Sequence, residues 1–100
     1  MNIDVINFAN FVASELRAQM IPNVQLYRTG NMFRSVMVVS VDDQFIDVVI
    51  ATSYASDTNE KGRNAGWIER VVDRCSRCYS SNNQVDPNSL IEKMTVMYGG

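Results

Sequence analysis

Histidine is absent from the chain, and cysteine occurs only as Cys75 and Cys78. The first absence removes the side chain whose charge changes near neutral pH and leaves general acid–base work to carboxylates or to Lys61. The second excludes a disulfide framework. With no imidazole it also leaves a four-ligand zinc site two ligands short within one chain. No apolar run approaches the roughly 18 residues needed to cross a bilayer, so no membrane contact is expected. The opening MNIDVINFANFVASEL lacks the basic start and unbroken apolar core of a secretion signal. A soluble protein made in a cytoplasm is the expectation. Charge of one sign is lacking too: 11 acids face 9 bases, a balance unlike that of a nucleic-acid-binding domain. No G-x-S-x-G, P-loop or dinucleotide-binding pattern occurs, nor any repeat or low-complexity tract. The residues predict no enzyme, no cofactor and no metal.

What is present is a single small domain over residues 1–100 with 46% hydrophobic content. A chain of this length buries about two-thirds of its unfolded surface, so its stability margin is thin and a partner subunit would help. Charge is unevenly spread. Residues 1–60 hold seven acids and three bases, whereas Lys61 to Arg77 holds five bases and two acids. Such a split suits self-association between unlike surfaces.

Val5, Phe8, Ala9, Val12, Leu16 and Met20 recur at three- and four-residue steps and predict an N-terminal helix. Asn2 is placed to cap it, Asp4 suits its first turn, and Pro22 ends it. Phe11 falls off the stripe, among Asn7, Ser14 and Glu15, and becomes a candidate contact residue. Asn23 to Arg28 reads as a short strand, Thr29-Gly30-Asn31 as a turn. Met32 to Val41 reads as a longer strand, although its first residues could instead form a single helical turn. Ser56 to Asn64 contains no large apolar residue and reads as a loop. Trp67, Ile68, Val71, Val72, Cys75, Cys78 and Tyr79 fall within about 140° of a helical wheel and predict a second long helix. Ser80 to Val85 reads as a linker. Asp86-Pro87 opens a last helix over 87–98, with Leu90, Ile91, Met94, Met97 and Tyr98 on its apolar side. Gly99-Gly100 ends it. That helix must dock, either on its own domain or on a neighbour.

A three-residue loop at Asp42–Gln44 sets the hairpin register, with Val41 opposite Phe45, Val39 opposite Asp47 and Met37 opposite Val49. One face then carries Val36, Val38, Ile46, Val48 and Ile50 and should pack on the N-terminal helix. The opposite face mixes Met37, Val39, Phe45 and Val49 with Ser35 and Asp47. It is too apolar for open water and needs another helix or another subunit. The fold class expected is α+β: a small, mostly antiparallel sheet of three to four strands packed against the N-terminal helix and a Trp67–Tyr79 helix, with a short C-terminal helix.

Two groups invite chemistry. Cys75-Ser-Arg-Cys78 has dithiol spacing, but a reactive thiol belongs near a helix N-terminus and these lie toward the C-terminal end of their helix, within its apolar arc. Buried structural thiols are expected. Arg70, Arg74 and Arg77 form an exposed basic stripe. Without a net positive domain or a nucleic-acid-binding motif, a solvated face or protein contact is the expectation. An Asp73–Arg77 pair at i,i+4 falls within it. Trp67 reads as a core anchor.

Thr29-Gly30-Asn31-Met32-Phe33-Arg34-Ser35-Val36 resembles the Thr-Gly-x-Leu-Arg-x-Ser-Ile start of the first long strand in the head–tail joining, tail-completion or neck proteins of tailed bacteriophages, with one extra residue before the arginine. Tyr54-Ala55 is similar to the family's Tyr-Ala, although Ser56-Asp57-Thr58 replaces its Tyr-Val-Glu-like step. A glycine-containing loop and a helix follow in both. The resemblance implies a structural virion protein at the head–tail junction, a hexameric or dodecameric homo-oligomer touching the connector (adaptor) and the tail-tube or tail-terminator proteins. It implies assembly in the host cytoplasm and no substrate. Candidate contact residues are Phe11, Met37, Val39, Phe45, Asp47, Arg70, Arg74, Arg77, Met94 and Met97. A tail terminator is the nearest alternative. A small nucleic-acid-binding or regulatory module using the arginine stripe and a thiol oxidoreductase at Cys75 and Cys78 are the rivals from other classes.

Overall fold

Helix α1 (Ile3–Met20) forms where the apolar stripe requires it and stops two residues before Pro22, with Asp4 in its first turn. The computed structural model describes residues 3–42 and 44–98. The expected Asn2 cap, Asp43 of the hairpin loop and the closing Gly99-Gly100 lie outside these. After α1 come α2 (Asn31–Arg34), β1 (Val36–Ser40), β2 (Ile46–Ile50), α3 (Tyr54–Glu60), α4 (Trp67–Asn83), α5 (Pro87–Lys93) and β3 (Met94–Tyr98). The fold is α+β, a three-stranded mixed sheet packed against α1 and α4.

The hairpin has the expected register: Val36 pairs with Ile50, Met37 with Val49 and Val39 with Asp47. Its loop is an Asx turn, in which the Asp42 carboxylate accepts the Gln44 and Phe45 N–H groups at 2.7 and 3.0 Å. Val36, Ile46, Val48 and Ile50 are buried beneath α1, as the alternation predicts, and Val38 is half-buried.

Several expectations are corrected. Asn23–Arg28 is a series of turns rather than a strand, because Asn23 organises it locally: its carbonyl accepts from Leu26 and Tyr27 and its side chain accepts from Gln25. The segment expected as a loop from Ser56 contains most of α3. Its inward side is made of Ala55, Thr58 and Asn59, and the last two are held by hydrogen bonds rather than by apolar area: Thr58 donates to the Ala55 carbonyl and Asn59 accepts the Ile68 N–H. Helix α4 runs on to Asn83, four residues beyond Tyr79, and ends where Gln84 takes a left-handed conformation (φ 55°) and its N–H bonds the Ser80 carbonyl. The last helix is only seven residues long, Pro87–Lys93. It starts as expected, with the Asp86 carboxylate accepting the Asn88 N–H, and packs on α1 and α4. Met94–Tyr98 is then not helix but β3, parallel to β2, so the sheet is mixed rather than mostly antiparallel.

Phe11 is not stranded on a polar face. It is half-buried, with its ring 6.4 Å from that of Tyr79, beside the 5.8 Å contact of Phe8 with the same tyrosine. Helix α1 packs on both the sheet and α4, so a wider arc of it is covered than one stripe suggests. Met94, a candidate contact residue, is 4% exposed and belongs to the core. Trp67 is buried and donates its indole N–H to Thr58 Oγ1 at 3.1 Å.

Candidate functional site

The sheet has two faces, and the described residues cover only one. On the outward face β1 presents Met37 and Val39, β2 presents Asp47 and Val49, and β3 presents Thr95 and Met97, with Val41 and Phe45 extending it at the hairpin end. Met37, Val39, Val41, Phe45 and Met97 are 46, 41, 57, 45 and 52% exposed. Side chains of this size left about half open make an apolar patch on the order of 400 Å², in the range that marks contact surfaces on soluble proteins. Neither α4 nor α5 reaches it, because both lie on the α1 side. Asp47 sits within this patch on the central strand, half-buried, between Val39 and Thr95 in register, and makes no ion pair among the described residues.

The structure therefore brings together Met37, Val39, Phe45, Asp47 and Met97 of the predicted contact residues. It leaves out Phe11 and Met94. The arginine stripe is elsewhere and is engaged within the chain. Arg70 donates to the Ala65 carbonyl at 2.7 Å, Arg74 lies 3.5 Å from the Glu15 carboxylate, and Arg77 pairs with Asp73. Val41 joins the face although it was expected only as part of the hairpin register. Also unforeseen are Ile21 and Val24, 60 and 83% exposed on the turn after α1. Two apolar residues flanking a proline and an asparagine were the available signal, and the strand expected there obscured it.

A second concavity of about 370 Å³ runs between α4, α5 and the open edge of β3, lined by Ile68, Val72, Ile91 and Val96. Its two carboxylates are occupied. Glu69 accepts from Asn59 Nδ2 at 2.8 and 3.0 Å and from Tyr98 Oη at 3.1 Å, and Asp73 holds Arg77. Few groups remain to orient a small ligand, which such a site needs.

The two thiols separate. Cys75 is buried, and burial, reinforced by the nearby Glu15 carboxylate, pushes its thiol from 9.0 up to about 11. Cys78 is exposed, contrary to the expectation that both thiols are buried, because no element covers that side of α4. A raised pKa is the reverse of what a redox nucleophile needs. Among the described residues no cluster of three or more His, Cys, Asp or Glu side chains could hold a metal ion, and no helix is long and apolar enough to cross a membrane.

The residues of the Thr-Gly and Tyr-Ala motifs meet in space. Gly30 caps α2 at φ +80°, where an added Cβ would lie 2.7 Å from Arg34 Nη1. Arg34 bridges the Thr29 carbonyl and Asn31 Oδ1 at 3.2 and 2.7 Å. The Met32 N–H donates to Tyr54 Oη at 3.0 Å, and the Arg28 guanidinium lies 5.5 Å from the centre of the Tyr54 ring. Met32 and Ala55 are buried in the core. This joint sets where β1 begins and where β2 gives way to α3. No family model, curated protein or solved structure matches the chain.

Proposed function

We propose that this chain is a structural subunit of a homo-oligomeric ring, of the kind found at the head–tail junction of tailed bacteriophages, where it joins a connector to tail-tube or tail-terminator proteins. The observation that carries the reading is the bare outward face of the sheet, apolar on all three strands and crossed by no element among the described residues. Its gross value on burial is about 10 kcal/mol, at ~25 cal/mol per Å² of apolar surface. Association costs roughly 4–15 kcal/mol in lost freedom. A single contact of this size is therefore weak, and closure into a ring, where each copy makes two contacts, is the arrangement that makes it persist. The clustering of the phage-like motif residues at one structural joint supports the resemblance, since those residue types have a job in this fold.

The arginine stripe offers no comparable support for a nucleic-acid module, because Arg70, Arg74 and Arg77 are each held within the chain. Native mass spectrometry with negative-stain microscopy tests the ring. Closed rings at six- or twelvefold multiples of 11.3 kDa are expected. A protein that stays monomeric at high micromolar concentration, both alone and with the proteins encoded beside it, overturns the reading.

A further inference from the structure

Asp47 decides what can cover the sheet face. It stands on the central strand among Val39, Phe45 and Val49, without an ion pair among the described residues. A second copy laid face to face about a two-fold axis would bring two Asp47 carboxylates into one apolar contact, each losing water and gaining a like charge. A purely apolar partner would strand a single carboxylate. The face selects a surface that carries a cation among apolar side chains.

The chain has such a surface. On the turn between α1 and α2, Ile21 and Val24 are the most exposed large apolar residues. Asn23 Nδ2 donates to Asn64 Oδ1 and Asn64 Nδ2 donates to Gln25 Oε1, both at 2.9 Å, which ties this turn to the segment before α4. Arg63 consequently lies in a shallow concavity with Pro22 and Val24, bordered by the amides of Gln19, Asn23 and Gln25, exposed and outside every ion pair of the described residues. Lys61 and Arg28 line the adjoining hollow together with Asp57, so its cations outnumber its single carboxylate.

We propose that the Ile21–Val24 turn of one copy docks on the outward sheet face of the next, its apolar side chains against Met37, Val39 and Met97, with Arg63 paired to Asp47. The apolar groups supply contact area, while the ion pair sets polarity and rejects the face-to-face alternative. Two unlike surfaces meet, so every copy offers one of each, and the contact is heterologous as a ring requires. The inference rests on the ring reading and specifies its joint.

Charge reversal tests it by sedimentation at pH 7 and low salt, with circular dichroism to check folding. Asp47→Lys and Arg63→Glu, each alone, are expected to weaken self-association by roughly tenfold or more, and Val24→Asp to do the same through the apolar part. Mixing the two charge-reversed proteins in equal amounts restores assembly, because each reversed charge then meets its opposite. If the natural chain assembles but the reversals leave association unchanged, or fail to rescue one another, this joint is overturned and the ring survives. A natural chain that does not assemble removes both.

Discussion

Cys75 and Cys78 share one arc of a helical wheel and end in opposite environments, one buried and one exposed. The wheel sees spacing alone, whereas the packing of α1 on α4 encloses Cys75 and leaves Cys78 open. At pH 8 one thiol per native chain should react quickly with a disulfide reagent and the second only on unfolding; two fast thiols would mean that Cys75 is not enclosed. The raised Cys75 pKa also has a stability consequence. As pH rises above 9.0 the unfolded chain gives up its thiol proton while the folded chain holds it until about 11, so stability falls across that window and is unaffected below it. Glu15 and Cys78 add to burial in raising the value and Arg74 opposes them. Tyr79 and Tyr98 are shifted upward as well, chiefly by burial, and lower alkaline stability with the same sign. Cys75→Ala should therefore flatten, without abolishing, the decline of the urea midpoint between pH 9 and 11. An unchanged slope would show that the thiol contributes nothing to it.

Among the elements, α3 and β3 are the two that periodicity misassigns, and Asn59 links them. Its Nδ2 donates to Glu69 and to the Tyr98 hydroxyl, while its Oδ1 accepts the Ile68 N–H at 2.9 Å. One buried amide thus closes α3, starts α4 and anchors the end of β3. Hydrophobic patterns register apolar side chains, so a helix whose inner side is Ala55, Thr58 and Asn59 passes for a loop. Met94–Tyr98 is ambiguous for another reason: Leu90, Ile91, Met94, Met97 and Tyr98 keep helical spacing, yet Met94, Val96 and Tyr98 also alternate. The unpaired edge of β2 settles it, since central-strand N–H and C=O groups need partners and β-branched Thr95 and Val96 suit a strand. Asn59→Ala should cost about 2 kcal/mol, the price of leaving buried polar groups unpaired. It should also lower amide-exchange protection across Thr95–Tyr98. A loss of stability with β3 protection intact would mean that Asn59 acts on α3 alone.

For the molecule as a whole, the two sides of β3 separate stability from assembly. Met94 faces the core and Met97 faces out. Met94→Ala should lose about 2–5 kcal/mol of folding stability, as buried methionines do. Met37→Ser combined with Met97→Ser should stay within about 1 kcal/mol of the natural chain, as surface changes do, while its self-association drops. Thermal melting and sedimentation on the same samples read both. Equal destabilisation by the two variants would place the outward face in the core of the monomer.

Local chemistry determined what lies within a turn or a pleat. That includes the α1 stripe ended by Pro22, the hairpin register set by alternation around Asp42, the Trp67 arc and the Asp86-Pro87 start of α5. It also includes the unlike faces of the hairpin, since a period of two separates them whatever else the chain does. Only the tertiary structure decided that Met94–Tyr98 completes the sheet, that Phe11 finds Tyr79, and that the Met37–Phe45 face stays bare. Those outcomes depend on which strand edge needs a partner and where α1 and α4 fit, and such contacts join residues tens of positions apart that no local pattern encodes.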